Sequence, residues 1–386
     1  MTTIKNTEIY DSGKRCFINA DLKIEDGKFS EIMPLSAAER DMDAPRSGEI
    51  RIVPGFIDIH THGAAGVDML TSNSDKLIEM SEYYAKNGVT TIFPSTSSEK
   101  HGVIMKMIDE VKKARGKAKI NFEGIHLEGP YINKKKAGAH RPELIKDPDL
   151  SELKDIMSAV LDCGLKLHIT IAPELPGAYE FIEAAVKKGA TITIGHTEAD
   201  SEVVKKAISL GARSFTHLFN AMPSIHHRNI GTAGLALIND TYVETICDGI
   251  HLCLEIIDLV YKIKGVEKII IVSDSMSAAG LPDGVYNLGA SNGITVENGK
   301  AYIKNPDGSE TIAGSTTNLY TEFKNFMNFT GSSPKDALLT ATKNPAECVG
   351  IYDKKGSIET GKDADFIVMD KNNAIKEVYV KGEKII

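Results

Sequence analysis

Residues 190–221 read ATITIGHTEADSEVVKKAISLGARSFTHLFNA. A β-branched run over 190–197 gives way to an amphipathic stretch, DSEVVKKAISLG, which closes on Gly211 at the position of a left-handed helix cap. A second β-branched run follows at 214–221, and each run carries a histidine near its end, His196 and His217. The stretch is therefore read as strand, helix, strand, the repeating unit of a parallel sheet.

The same alternation extends outward in both directions. Further runs lie at 51–61, 89–96, 120–129, 165–174, 242–250 and 268–276, with helix patterns such as SDKLIEMSEYYAKNG and GAYEFIEAAVKKG closing on Gly88 and Gly189. Eight βα units in about 225 residues predict an α/β fold of the (β/α)8 TIM barrel type. The flanks differ. TEIYDSG and LKIEDGKFSEI within 1–50, and the whole of 354–386, alternate in short strands broken by turn residues. Lone hairpins are marginal in water, so 1–50 and 354–386 are expected to pair as one small discontinuous β-sandwich beside a barrel of 51–353. A β-like insertion at about 281–313 precedes a helical segment around 315–349.

Composition limits the partners. With 42% hydrophobic and 25% charged residues among 386, the chain reads as an ordinary soluble globular protein. Lys and Arg total 45 against 53 Asp and Glu, a net charge of -8, which argues against nucleic acid as a partner but leaves room for a small anion held by one local arginine. The five cysteines are odd in number and contain no C-x-x-C, so reduced thiols are expected. MTTIKNTEIYDSGKR has no apolar core of a signal segment, and no stretch approaches a membrane span. The expectation is a cytoplasmic, unprocessed protein with no membrane partner.

Histidine placement carries the chemistry. His60 and His62 follow the first run as H-T-H, and alternate residues of an extended segment face the same side, so both imidazoles can converge on one ion. Glu128 ends the third run, His196 the fifth, His217 the sixth and Asp274 the eighth, all at the ends where barrel enzymes build their sites. A single histidine near a strand is ordinarily structural, and His126 and His168 are read that way. The assembled set is read as a divalent metal site for one or two ions. Nitrogen and carboxylate donors without thiolates suit Zn, Fe, Mn or Co alike. Glu128 can bridge two ions, with His60 and His62 completing one and His196 and His217 the other. Asp274 is placed to move protons as general base and acid. The runs GAAG at 63–66 and AAGL at 278–281 lack the phosphate-loop pattern, and the lysines at 134–136 are read as a solvated loop.

PGFIDIHTHG (54–63), HLEGPYIN (126–133), GAH (138–140), IGHTEA (194–199), THLFNAM (216–222), DGIH (248–251), VSDSMSAAG (272–280) and TIAGS (311–315) together resemble the amidohydrolase superfamily and, within it, the N-acetylglucosamine-6-phosphate deacetylases. The resemblance covers essentially the whole chain, and its specific signals are EGPY, HLFNAM and DGIH in combination. It implies metal-dependent hydrolysis of N-acetyl-D-glucosamine 6-phosphate to glucosamine 6-phosphate and acetate in amino-sugar catabolism. By the same matching, Glu128, His196 and His217 are metal ligands and Asp274 the catalytic group. Because the chain keeps H-x-H, two ions are expected, the one at His60 and His62 less tightly held. The matching also implies sugar contacts at Ala139 and His140, phosphate contacts at Asn220, Ala221 and Arg228, and substrate contacts from Asp248 to His251. A closing turn is implied at Thr311, Ile312 and Ala313. A homodimer is implied, with the phosphate site completed across the interface; His226 and His227 beside Arg228 are read as surface loop.

Three alternatives accompany this reading. One is a deacetylase for the galacto epimer of the sugar phosphate. Another is a cyclic-amide hydrolase, disfavoured because Glu128 stands where such enzymes often carry a carboxylated lysine. The third is a non-catalytic scaffold, disfavoured because every ligand position is filled.

Overall fold

The computed structural model describes residues 2–36, 50–289, 291–305 and 307–386. In the strand Cys16–Glu25, Ala20, Leu22 and Ile24 alternate with more exposed neighbours, so this strand offers one face to a core. It belongs to a seven-stranded sheet ordered Glu383–Lys384, Ile375–Val380, Phe366–Asp370, Ile50–Pro54, Thr2–Asp11, Cys16–Glu25, Lys28–Pro34. The sheet folds over on itself. The Phe29 N–H donates to the Lys362 carbonyl at 3.0 Å, and the Phe29 and Phe366 rings meet with centroids 6.0 Å apart. Ile9, Leu22, Ile52, Phe366 and Val368 fill the enclosed core. Each such side chain contributes roughly 1.5–3 kcal/mol on burial.

The run 51–61 divides. Ile50–Pro54 pairs with Thr2–Asp11 and Phe366–Asp370 in the terminal sheet, and only Phe56–Thr61 enters the barrel. Gly55 sits at the change of sheet, where a Cβ would come within 2.1 Å of the Thr90 side chain, so no larger residue fits between the two layers. Below this junction Lys355 is buried against Asp365 at 2.6 Å, Asp363 at 2.8 Å and Glu123 at 3.7 Å, tying the terminal sheet to the barrel.

Barrel strands Phe56–Thr61 and Val89–Pro94 run parallel to the third position, Asn121–Phe122 and Gly124–Glu128. Lys166–Ile171, Thr191–Ile194, Ala212–Phe215, Tyr242–Thr245 and Ile269–Ile271 follow in order, each parallel to the last. Closure comes just beyond the strand ends, where the Asp274 N–H donates to the His60 carbonyl at 2.9 Å and the His62 N–H to the Ser275 carbonyl at 2.7 Å. Helices such as Ser201–Ser209 bury one stripe, here Val204 and Ala207, against the strands. Asp200 caps that helix by accepting from the Glu202 and Val203 N–H groups.

Between the eighth strand and the helix Leu319–Thr330 lies a four-stranded antiparallel sheet, Gly284–Leu288, Ser291–Glu297, Lys300–Lys304 and Glu310–Ile312. Its core of Leu288, Ile294, Val296 and Ala301 packs against Met276 and Ala313, so the sheet stands at the carboxyl end of the barrel.

Candidate active site

At that end the predicted ligands meet. His60 Nε2 stands 3.3 Å from His62 Nε2, 3.4 Å from Asp274 Oδ1 and 3.5 Å from Glu128 Oε1. His62 Nε2 is 3.1 Å from Glu128 Oε2 and 3.3 Å from Asp274 Oδ1. On the other side, His196 Nε2 and His217 Nε2 are 2.9 Å apart and lie 3.2 Å and 3.1 Å from Glu128 Oε1. Two buried trios result, His60 with His62 and Asp274, and Glu128 with His196 and His217, while Glu128 also reaches the first trio. Asp274 joins the first trio directly, beyond the proton-moving role its motif implied.

These residues fit a divalent ion. Donors about 2.0–2.1 Å from a tetrahedral ion sit roughly 3.3–3.5 Å from one another, close to the spacings here. His196 Nδ1 faces the Lys136 carbonyl at 2.7 Å and so carries the ring proton, and its Nε2 lone pair can face the Glu128 oxygen only with a further proton or a cation between them. Burial alone would raise the Glu128 carboxyl, yet the His60 charge and hydrogen bonds from His140, His196 and His217 hold it well below the usual carboxylate range. Burial opposes protonation of His62, but Asp274 and Glu128 raise it to about 9. A divalent cation can supply the same positive charge in place of such protons.

His196, His217 and Asp274 all have positive φ, 46°, 26° and 45°, a region L residues rarely occupy. Each costs about 1–3 kcal/mol, and such conformations cluster where surrounding structure enforces a functional geometry. The tight reversal after each strand turns these side chains back toward Glu128.

A cavity of about 440 Å³ opens beside the trios. Its wall includes His62, His140, Asn220, Ala221, His251, Asp274 and Ile312, so most of the predicted substrate contacts converge. His140 Nδ1 receives the Ser98 backbone N–H at 2.9 Å, which makes it the acceptor nitrogen and leaves Nε2–H as a donor. Burial pushes the His140 imidazolium down to about 4, so the ring is neutral at pH 7. His251 is oriented by Asp248, whose Oδ2 lies 2.7 Å from His251 Nδ1.

Asp248, Ala313 and Arg228 are not in the cavity wall. Asp248 acts on the cavity through His251, Ala313 is buried in the core beneath the antiparallel sheet while its neighbours Thr311 and Ile312 form the wall, and Arg228 is exposed in the loop 224–230. Ala139 lines the cavity. His126 and His168 are structural residues, the former between Ser95 Oγ at 2.9 Å and Thr170 Oγ1 at 2.8 Å.

The lysine run is solvated, Lys134 and Lys135 being exposed, but it also borders the cavity. Lys134–Lys136 is a 3₁₀ turn in which Lys135 and Lys136 line the cavity; Lys136 pairs with Glu198 at 3.1 Å, and its carbonyl lies 2.7 Å from His196 Nδ1. Charge in a loop sequence does not say which side faces a cavity. Glu244 was also missed. It is fully buried between His60 and His168, and its only sequence signal is a carboxylate inside the apolar run YVETIC, which must find partners once buried.

A family model described as the amidohydrolase family matches residues 51–385. The chain belongs to this family. An N-acetylglucosamine-6-phosphate deacetylase of Bacillus subtilis is 35% identical to this amidohydrolase over 373 residues, spanning 94% of this chain and 92% of that protein. An N-acetylgalactosamine-6-phosphate deacetylase of Escherichia coli is 30% identical over 367 residues, spanning 94% and 93%. Among solved structures, the N-acetylglucosamine-6-phosphate deacetylase of Thermotoga maritima superposes on this amidohydrolase with a TM-score of 0.87 at 31% identity, covering 100% of this chain and 99% of that one. Among the described residues, no helix of the amidohydrolase is long and apolar enough to cross a membrane.

Proposed function

We propose that this amidohydrolase removes the acetyl group of N-acetyl-D-glucosamine 6-phosphate, releasing acetate and glucosamine 6-phosphate. The observation that carries the reading is the convergence of Asp274 and the two ligand trios on a cavity walled by His140, Asn220, Ala221 and His251. The likeness to the Bacillus subtilis deacetylase supports the same substrate. A divalent ion held by these residues would act as a Lewis acid on the acetamide and lower the pKa of a bound water toward about 7.

The protein's own residues account for the rest. Asp274 accepts the proton of the attacking water and returns it to the amide nitrogen as the C–N bond breaks, so the amine leaves neutral. The neutral His140 has its one N–H on Nε2, since Nδ1 is engaged by Ser98; this donor faces Glu128 Oε2 at 3.5 Å and turns to a sugar or acetamide oxygen when substrate fills the cavity. Oriented by Asp248, His251 contributes a second fixed contact in the cavity wall.

Recognition of the phosphate is assigned to Asn220 and Ala221, with charge from Lys135 at the wall and from Arg228. Arg228 is exposed in its own chain, and Ile225 of the same loop exposes 48% of its surface. Both features suit a homodimer in which the guanidinium completes the partner's site, a bidentate match for phosphate. A cytoplasmic location accords with reduced cysteines and a phosphorylated substrate. The galacto epimer is the second reading, favoured by the Escherichia coli relative.

The reading is tested by stripping the protein with a chelator and reloading it with Zn, Fe, Mn or Co. Hydrolysis of N-acetylglucosamine 6-phosphate should vanish on stripping and return with at least one metal. Full activity in the stripped protein would refute the metal-dependent mechanism.

A further inference from the structure

Three of the four ligand imidazoles, His60, His196 and His217, differ in what stands behind them. His196 Nδ1 lies 2.7 Å from a backbone carbonyl, that of Lys136. His217 Nδ1 has no hydrogen-bond partner among the described residues. His60 is backed by a carboxylate, with Nδ1 2.9 Å from Glu244 Oε2. The other oxygen of Glu244 is 3.1 Å from His168 Nε2, and Oε2 also lies 3.4 Å from the His217 backbone N–H. Both oxygens are thus engaged and the side chain is wholly buried, so the carboxylate cannot turn away.

An ionised carboxylate only accepts hydrogen bonds. In its neutral, ion-binding form His60 must therefore carry its proton on Nδ1, leaving the Nε2 lone pair toward His62, Asp274 and Glu128. A carboxylate behind a ligand imidazole fixes its tautomer and raises its basicity, and losing such a partner typically costs about 10- to 100-fold in metal affinity.

We infer that Glu244 is the positioning residue for the ion at His60 and His62, and that it decides whether this chain holds two divalent ions or one. The inference rests on the metal reading of the two trios. It acts through His60 rather than by touching the ion or the substrate.

The test is direct metal binding. Stripped protein is dialysed against buffered free Zn²⁺ over a range of concentrations, and bound zinc per chain is measured by elemental analysis, alongside the melting temperature of the stripped protein. Wild type should take up two ions. Glu244→Gln should bind one of them about 10- to 100-fold more weakly and the other as the wild type does. His60→Asn should lose the same ion, and adding Glu244→Gln to it should change the remaining affinity no further, because a residue acting through His60 has nothing left to act on. His168→Gln, which frees one Glu244 oxygen, should weaken that same ion by a smaller factor.

Unchanged binding of both ions in Glu244→Gln overturns the inference, whatever happens to the melting temperature. So does a further loss in the double variant, which would place the effect on the fold or on His217. If Glu244→Gln does not fold, unchanged affinities in His168→Gln overturn it instead. A wild-type chain that binds no zinc would overturn the metal reading itself, whereas two ions in wild type with an indifferent Glu244→Gln would overturn the positioning role alone.

Discussion

Asp274 Oδ1 lies 3.3 Å from His62 Nε2, so the group assigned to proton transfer and the H-x-H pair share one buried cluster. The charges of His60 and His62 more than offset burial and hold the Asp274 carboxyl below its ordinary value, leaving it ionised and able to accept a proton. Asp274→Asn keeps the shape but cannot take that proton. Its turnover should fall by about 100- to 10,000-fold with KM changed little. Steady-state kinetics of metal-loaded protein check this, and near-normal turnover would remove Asp274 from the mechanism.

Phosphate recognition predicts a selective loss. A charge-assisted hydrogen bond contributes about 1.5–3 kcal/mol, so Arg228→Ala and Lys135→Ala should each lower kcat/KM on the phosphorylated substrate roughly 10- to 100-fold. Activity on unphosphorylated N-acetylglucosamine should change little. Equal losses on both substrates would assign these cations to something other than phosphate.

Lys355 predicts a stability effect away from the site. Its ammonium is buried among Asp363, Asp365 and Glu123, which keep it charged despite burial. Lys355→Met would leave these carboxylates without their cation and should cost about 3–5 kcal/mol, read as a lower urea midpoint.

Glu322 predicts a pH effect. It is buried in the helix Leu319–Thr330, accepts hydrogen bonds from the Cys247 N–H and the Thr317 hydroxyl, and is held well above its ordinary value of 4.5, by burial first and by the Asp248 charge second. The folded state therefore binds this proton more tightly than the unfolded chain does. Its contribution is fully present below about pH 4.5 and is lost as pH rises toward the folded value. Glu322→Gln has no such proton to lose. The melting temperature of wild type minus that of Glu322→Gln should fall as pH rises above 4.5, and a flat difference would contradict the assignment.

The barrel was legible because each strand and helix carried its own period and Gly211, Gly189 and Gly88 marked the helix ends. The candidate ligands were legible because His60, His62, Glu128, His196, His217 and Asp274 sit at or just beyond the ends of predicted strands. The division at Gly55 was not, since 51–61 reads as one strand-like run and the close approach of Thr90 that parts its halves comes from a residue distant in sequence. Glu244 was hidden because its role depends on two histidines 184 and 76 residues away. Local preference disfavours the positive φ of His196, His217 and Asp274, and the surrounding fold imposes it.

The most direct measurement is acetate release from three substrates by metal-loaded protein: N-acetylglucosamine 6-phosphate, its galacto epimer and unphosphorylated N-acetylglucosamine. The account predicts the highest kcat/KM on N-acetylglucosamine 6-phosphate and a large drop without the phosphate. Higher kcat/KM on the galacto epimer would contradict the assigned substrate, and no acetate from any of the three would contradict deacetylation itself.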